Sequence, residues 1–304
     1  RVALIDAEAQ FGGNHIWSFF GCDIAADHKW LTAPLVCHGW AGNQVHFPRF
    51  SRKLRQNYYS IESERLDEHI RRTLPAEACL SGTKVLACGP TSVVLDDGRR
   101  IEAGAVIDAR GGGDMGALSC GWQVFMGQEL ELAEPHNLTR PVIMDARVDQ
   151  LGGYRFVYLL PFSPVRLFVE DTYYQDTPDL DADALSARIA AYAKRHKWQV
   201  QRVVRQETGV LPVVLNGDPE AYWRAGGAKV PKIGARGGFF HHVTSYSIPD
   251  AVRVAMMVAE APDLSAPALN AMLQDAAAKH WKAARFYRTL NTMLFRAAEP
   301  EQRY

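Results

Sequence analysis

Apolar and polar positions alternate along this chain in a way that predicts strands over its middle and helices over its last third. The opening text RVALIDAEAQFGGN begins as a buried strand that stops on an acid, Asp6. Residues 82 to 111 read as a small β-meander, with an Asp97-Gly98 turn between Val93-Val94-Leu95 and Ile101 and a buried run Ala105-Val106-Ile107 that leads into the loop Asp108-Ala109-Arg110-Gly111. From 121 to 174 the pattern is mostly β, and GYRFVYLLPFSPVRLFV reads as two antiparallel strands joined at Ser163-Pro164. The stretch 180 to 196, LDADALSARIAAYAKRH, predicts a helix with acids early and bases late, as the macrodipole favours. Strand text resumes at 199 to 215. Lys232 to Ala235 then reads as a short strand, followed by the loop RGGFFHHVTSYS and a helix from about Ile248 to Ala259 with Pro249 in its first turn. Beyond Pro262 the chain is mostly helical.

Composition narrows the class. With 304 residues, 47% of them hydrophobic, the chain can bury a large core. Thirty-four basic residues balance thirty-four acidic ones, so no global field recruits nucleic acid. Arg155, Pro161, Pro164 and Arg166 break the longest apolar region, which excludes a membrane span there. Five cysteines without a C-x-x-C pair argue against a disulfide framework or zinc ribbon and fit a reducing cytoplasm.

The opening strand resembles the second strand of a dinucleotide-binding βαβ unit, whose first strand and G-x-G-x-x-G turn are expected about 20 residues earlier. The sequence therefore reads as a piece of a longer protein. In such a unit Asp6 accepts ribose hydroxyls, although it reads equally as a helix cap or surface acid. Gly12-Gly13-Asn14 reads as a turn, with an approach to pyrophosphate as the alternative. Asp108, Arg110 and Gly111 follow a buried run, where ligands bind in open α/β sheets. His241-His242 lacks any third ligand for a metal.

Two adjacent acids, Glu170 and Asp171, close the strand RLFVEDTYY. Alternation sends them to opposite faces. They are either strand-end surface charges, or one of them is a carboxyl kept protonated in an apolar pocket as a proton donor.

GGNHIWSF at 12 to 19, VIDARG at 106 to 111, IMDARVDQ at 143 to 150, the 153 to 174 segment and FHHVTSYS at 240 to 247 together resemble the bacterial lycopene β-cyclases. That resemblance implies an α/β, Rossmann-type FAD-binding fold with an inserted antiparallel substrate sheet. It also implies reduced FAD as cofactor with NAD(P)H as reductant, and closure of the linear ends of lycopene, or a related linear carotenoid, into the rings of β-carotene. Glu170 and Asp171 fall on the family's acid-acid-threonine motif as catalytic residues. The cofactor-contacting set becomes Asp6, Gly12, Gly13, Asn14, Asp108, Arg110, Gly111, Gly234, Gly238 and Ser247, with no metal. Where the family reads H-P-x-T-G-Y-S, this chain has His241-His242-Val243-Thr244-Ser245-Tyr246-Ser247. The expected division is 1–114 with 228–260 for FAD, 115–227 for substrate, and a helical 261–304.

Alternatives of the same fold are a redox flavoenzyme, such as a monooxygenase or isoprenoid reductase, or an inactive flavin- or carotenoid-binding remnant. A bilayer-dissolved substrate requires a chain without spans to sit peripherally on the membrane, here on the inner face. The segment AAKHWKAARFYRTLNTMLFR at 277 to 296 has five Lys and Arg residues (Lys279, Lys282, Arg285, Arg288, Arg296) and no acid. It reads either as a helix lying on an anionic membrane surface or as an amphipathic helix packed on the core.

Overall fold

The computed structural model describes residues 2–298. Its centre is a seven-stranded sheet in the order Val200–Gly217, Leu118–Leu132, Arg166–Gln175, Tyr154–Ser163, Val142–Asp145, Asn43–Phe47, Phe50–Leu54. Neighbours are antiparallel except Val142–Asp145 beside Asn43–Phe47, which run parallel. The aromatic and β-branched runs of the sequence supply these strands, and their alternation loads both faces. On one face Val124, Met126, Val157, Leu159, Leu167 and Val169 form a core against the helix Ala182–Arg195. That helix presents Leu185, Ile189, Tyr192 and Ala193, spaced to share one side, and Asp181 caps it by accepting from the Ala184 N–H. On the other face Phe156, Tyr158, Leu160, Phe168 and Tyr174 pack with Tyr58 and Phe295.

The hairpin 43–54 belongs to this sheet, so the β-rich unit draws residues from the stretch 1–114 as well as from 115–227. A smaller sheet, Ile16–Phe20, Tyr58–Glu62, Val36–Trp40, lies alongside through Tyr58. Leu4–Ile5 pairs in parallel with Cys79–Leu80. The meander forms as read from the sequence, with Gly98 at φ 84° between Ser92–Leu95 and Arg100–Glu102.

The strands read at 105–107 and 232–235 are not there. What forms is one isolated parallel bridge, Asp108 to Lys232. Pro231 has no N–H to extend the ladder, and Gly234, at φ 58°, turns the chain into the short 3-10 turn Gly234–Gly237. The helix Ile248–Ala259 forms with the limits expected.

The segment 277–296 divides rather than forming one continuous amphipathic helix. One helix, Ala266–Ala283, ends at Ala284, and a second, Arg285–Thr292, continues into a π turn, Met293–Ala297. Arg288 is buried, with its guanidinium 3.9 Å from the Trp281 ring centroid and donating to the Trp281 carbonyl, so it is not a surface charge. Asn291 and Phe295 turn inward as well. Phe286, Leu290 and Met293 are 65%, 40% and 56% exposed, so the same element has an inner face and an apolar outer stripe.

Leu160 is fully buried between the strands and Tyr58. Leu160→Ala is expected to lower unfolding free energy by about 2–5 kcal/mol, read as a reduced urea midpoint with an unchanged slope.

Candidate active site

Strand register places four positions in a row across one face of the large sheet. Tyr158 pairs with Glu170, Glu170 with Gly127, and Gly127 with Glu207. Glu170 shares this face with Phe168 and Thr172, whereas Asp171 points through to the helix-covered face, as alternation requires. Val169, Asp171 and Thr172 are fully buried, but Glu170 retains partial access. Its Oε1 accepts a hydrogen bond from the Thr172 hydroxyl at 2.5 Å. Burial pushes the Glu170 carboxyl up to about 7, with the nearby Asp171 charge adding to the effect. The Thr172 hydrogen bond opposes that rise, and the carboxyl is left with a substantial protonated fraction at neutral pH.

Asp171 has a different environment. The Arg155 guanidinium grips it, with Nε 3.0 Å from each carboxylate oxygen, and Arg188 of the covering helix stands 3.9 Å away. Burial raises its pKa and the guanidinium of Arg155 opposes that rise. Its contacts are those of an anchor, and the two acids are not brought together on one surface.

Above Glu170, the hydroxyl of Tyr58 makes 2.9 Å hydrogen bonds with those of Tyr158 and Tyr246. Tyr246 lies in the His241–Ser247 loop, and the Tyr174 hydroxyl donates to the Val243 carbonyl of that loop at 3.2 Å. The acid therefore faces the loop that sequence assigned to the cofactor. Sequence reasoning missed this tyrosine cluster and also Glu207. Glu207 reads as a surface charge beside Arg205, and only its register opposite Gly127 reveals it.

The expected cofactor residues fall into two groups. Asp108 is buried, and its carboxylate accepts from Arg110 at 2.9 and 2.8 Å and lies 3.7 Å from Arg236. Burial pushes this carboxyl up, but the Arg110 hydrogen bonds outweigh it and the net shift is downward. Arg236 donates to the Arg110 carbonyl, and Tyr222 bridges Gly113 to the Ala235 carbonyl, so the loops holding Gly111, Gly234 and Gly238 come together. Gly111 and Gly234 have positive φ with open space where a Cβ would stand. Ser247 sits at the N-cap of Ile248–Ala259 without a side-chain cap bond, which leaves that helix's amino end uncapped by its own side chain. In the second group, Asp6 accepts from the Glu8 N–H, and its own N–H donates to Leu80. Gly12 and Gly13 form a left-handed turn, and Asn14 is tied to the large sheet by bonds to the Gln206 carbonyl and from Arg205.

An apolar cavity of about 350 Å³ lies elsewhere, lined by Tyr222, Trp223, Phe240, His242 and Trp281. Neither Glu170 nor Glu207 borders it, so the chemistry is argued from the acid row instead. Among the described residues no cluster of three metal-ligating side chains occurs.

The profile of the family described as lycopene cyclase protein matches residues 1–304. The chain belongs to the lycopene cyclase family. It is 44% identical to the lycopene beta-cyclase of Pseudescherichia vulneris over all of this chain and 78% of that one. With the lycopene beta-cyclase of Pantoea ananas it shares 42% identity over all of this chain and 79% of that one. Among solved structures, a geranylgeranyl bacteriochlorophyll reductase-like protein of Thermoplasma acidophilum superposes with a TM-score of 0.60 at 13% identity, covering 95% of this chain and 82% of that one. A variant of Klebsiella pneumoniae HpxO complexed with FAD gives 0.60 at 14% identity, covering 95% and 84%. This cyclase-family chain thus shares its fold with flavin-dependent enzymes.

The raised Glu170 acid gives a stability prediction for this family member. Its pKa of about 7 in the fold lies above the ordinary 4.5, so its stabilising contribution is complete below the ordinary range and disappears as pH rises through 7. Gln keeps the bond from Thr172 without ionising. Glu170→Gln is expected to raise the urea midpoint relative to wild type more at about pH 8 than at about pH 5, and a gap that shrinks with pH would contradict the raised value.

Proposed function

We propose that this chain is a lycopene β-cyclase, performing acid–base cyclisation of the linear ends of lycopene without net redox change. The observation that carries the proposal is Glu170: a protonatable, partly accessible carboxyl on a face walled by Phe168, Tyr58, Tyr158 and Tyr246. Such a surface suits a hydrocarbon. The Glu170 O–H delivers its proton to a terminal double bond, and the tertiary cation that results is attacked by the neighbouring alkene to close the ring. Loss of a ring proton then sets the final double bond. Aromatic faces beside the acid offer negative quadrupole density to the cation. Asp171 acts as a positioning residue, fixing the strand through Arg155 so that Glu170 keeps its place.

The loops of Asp108, Arg110, Gly111, Gly234 and Gly238 and the amino end of Ile248–Ala259 fit FAD, because glycines with open space and an uncapped helix terminus accept an anionic group at close range. We assign Asp6 and Gly12 to Asn14 to the same cofactor role, as the resemblance implies. Reduced FAD held by these residues would supply negative charge that stabilises a developing cation, with NAD(P)H as its reductant. A redox flavoenzyme would change substrate mass, whereas cyclisation preserves it. Lycopene-accumulating cells expressing the chain should yield cyclic product of unchanged mass, and Glu170→Gln should lower that yield at least ~100-fold while leaving FAD binding in place. Normal cyclic product from the variant would remove Glu170 from the role.

Among the described residues no helix is long and apolar enough to cross a membrane. Peripheral attachment is proposed at Phe286, Leu290 and Met293, beside Lys282 and Arg285. Lys279 and Arg296 are engaged with Asp275 and Asp176. Replacing Lys282 and Arg285 with Gln should weaken co-sedimentation with anionic liposomes, with the largest effect at low salt. Serine at Phe286, Leu290 and Met293 should weaken it at every salt concentration.

A further inference from the structure

We propose that Glu207 is the second proton-transfer group of this site, forming an acid–base pair with Glu170 across Gly127. This rests on the cyclase reading above, which needs one group to give a proton and another to take one. The register alone puts both carboxyls on one face, two strands apart, with their Cα atoms about 10 Å from each other at ordinary strand spacing. Between them Gly127 has no side chain, and a Cβ there would run into the Phe168 ring. The space between the acids is therefore occupied by an aromatic ring rather than by a competing polar group.

Glu207 is held in place without being neutralised. It is 6% exposed, and its Oε2 accepts from the Ile16 N–H at 2.9 Å, which ties the small sheet to the large one. The charged groups around it are Glu170 on the facing strand, Arg205 on its own strand and Glu64 on the helix Ser63–Thr73. The Arg205 guanidinium is directed away, donating to Glu64, Asn14, Ser63 and the His15 carbonyl. Around Glu170 stand Thr172, Asp171 and the hydroxyls of Tyr158, Tyr174 and Tyr246. Burial pushes Glu207 up to about 8, and the like charge of Glu170 adds to that. Burial raises both carboxyls, and the charge of Glu170 raises Glu207 further, so a singly protonated pair is favoured near neutral pH.

A singly protonated pair suits the reaction. The protonated carboxyl breaks its O–H bond as the new C–H bond forms at the terminal alkene. Ring closure moves the positive charge onto a ring carbon. The ionised carboxylate then removes the adjacent ring proton, whose C–H electron pair becomes the ring double bond. One proton enters and one leaves, so no oxidant or reductant is consumed, and proton exchange with water restores the starting state of the two acids.

The test compares the wild-type chain, supplied with FAD, with Glu207→Gln, Glu207→Asp and Glu170→Gln. It has two readouts: lycopene turnover against pH, and the titration of Glu207 followed by NMR of protein carrying carboxyl-labelled glutamate. Gln can still accept from the Ile16 N–H, so the fold is preserved. Expected are a loss of kcat of at least ~100-fold in Glu207→Gln, a bell-shaped pH profile reduced to one limb, partial recovery in Glu207→Asp, and a lower titration midpoint for Glu207 in Glu170→Gln, where its neighbour cannot ionise. A Glu207→Gln enzyme with wild-type kcat and both limbs would overturn the proposal, and so would an unchanged Glu207 midpoint in folded Glu170→Gln. A wild-type chain inert toward lycopene would count against the cyclase reading itself, while the titration would still decide whether the two acids are coupled.

Discussion

Everything at this site depends on the pleat of one strand at two consecutive residues. Glu170 and Asp171 are both carboxylic acids, yet the half-turn between them gives one an aromatic wall and the other a guanidinium. A one-residue slip in pairing would exchange them, placing a charged partner against the aromatic face and leaving Arg155 without its acid. The Arg155–Asp171 pair opposes such a slip because a buried guanidinium stripped of its carboxylate is strongly destabilising. The ion pair on one face thus fixes the protonation chemistry on the other.

A neutral acid in apolar surroundings also needs orientation, and the structure supplies it with hydroxyls instead of charges. Thr172 gives Glu170 one hydrogen bond, which directs the carboxyl without a cation that would force it to ionise. The tyrosine cluster joins residues from three distant stretches, at 58, 158 and 246, and so links the small sheet, the large sheet and the glycine-loop region. Asn14 and Arg205 make a second such link at the rim, next to Glu207.

Much of the sheet was legible in the sequence, because its strands are long and dense in aromatic and β-branched residues. The hairpin 154–175, the helix after it and the helix at 248 follow from local pattern and capping alone. Glu170 was legible through alternation together with the resemblance. Non-local facts were not. Nothing in RQETGV indicates that Glu207 will lie opposite Gly127, since register over some eighty residues is set by packing. The run at 105–107 shows the converse failure: its composition favours a strand, but Pro231 and Gly234 leave its partner unable to extend a ladder. The basic count at 277–296 likewise overstated the surface charge, because Arg288 lies inward against Trp281.

The distribution of positive charge explains why the face of Glu170 suits carbocation chemistry. A cation forming beside a guanidinium would be repelled, and the repulsion is strong where little water screens it. Among the described residues, the guanidinium of Arg155 lies on the opposite side of the sheet, Arg205 is occupied by Glu64 and Asn14, and Arg166 by Glu129. What remains on this face are rings, hydroxyls and two acids with raised pKa values. On the face of Glu170 the guanidinium groups of Arg166 and Arg205 are each matched by a carboxylate, so a cation forming beside the rings meets neutralised rather than bare positive charge.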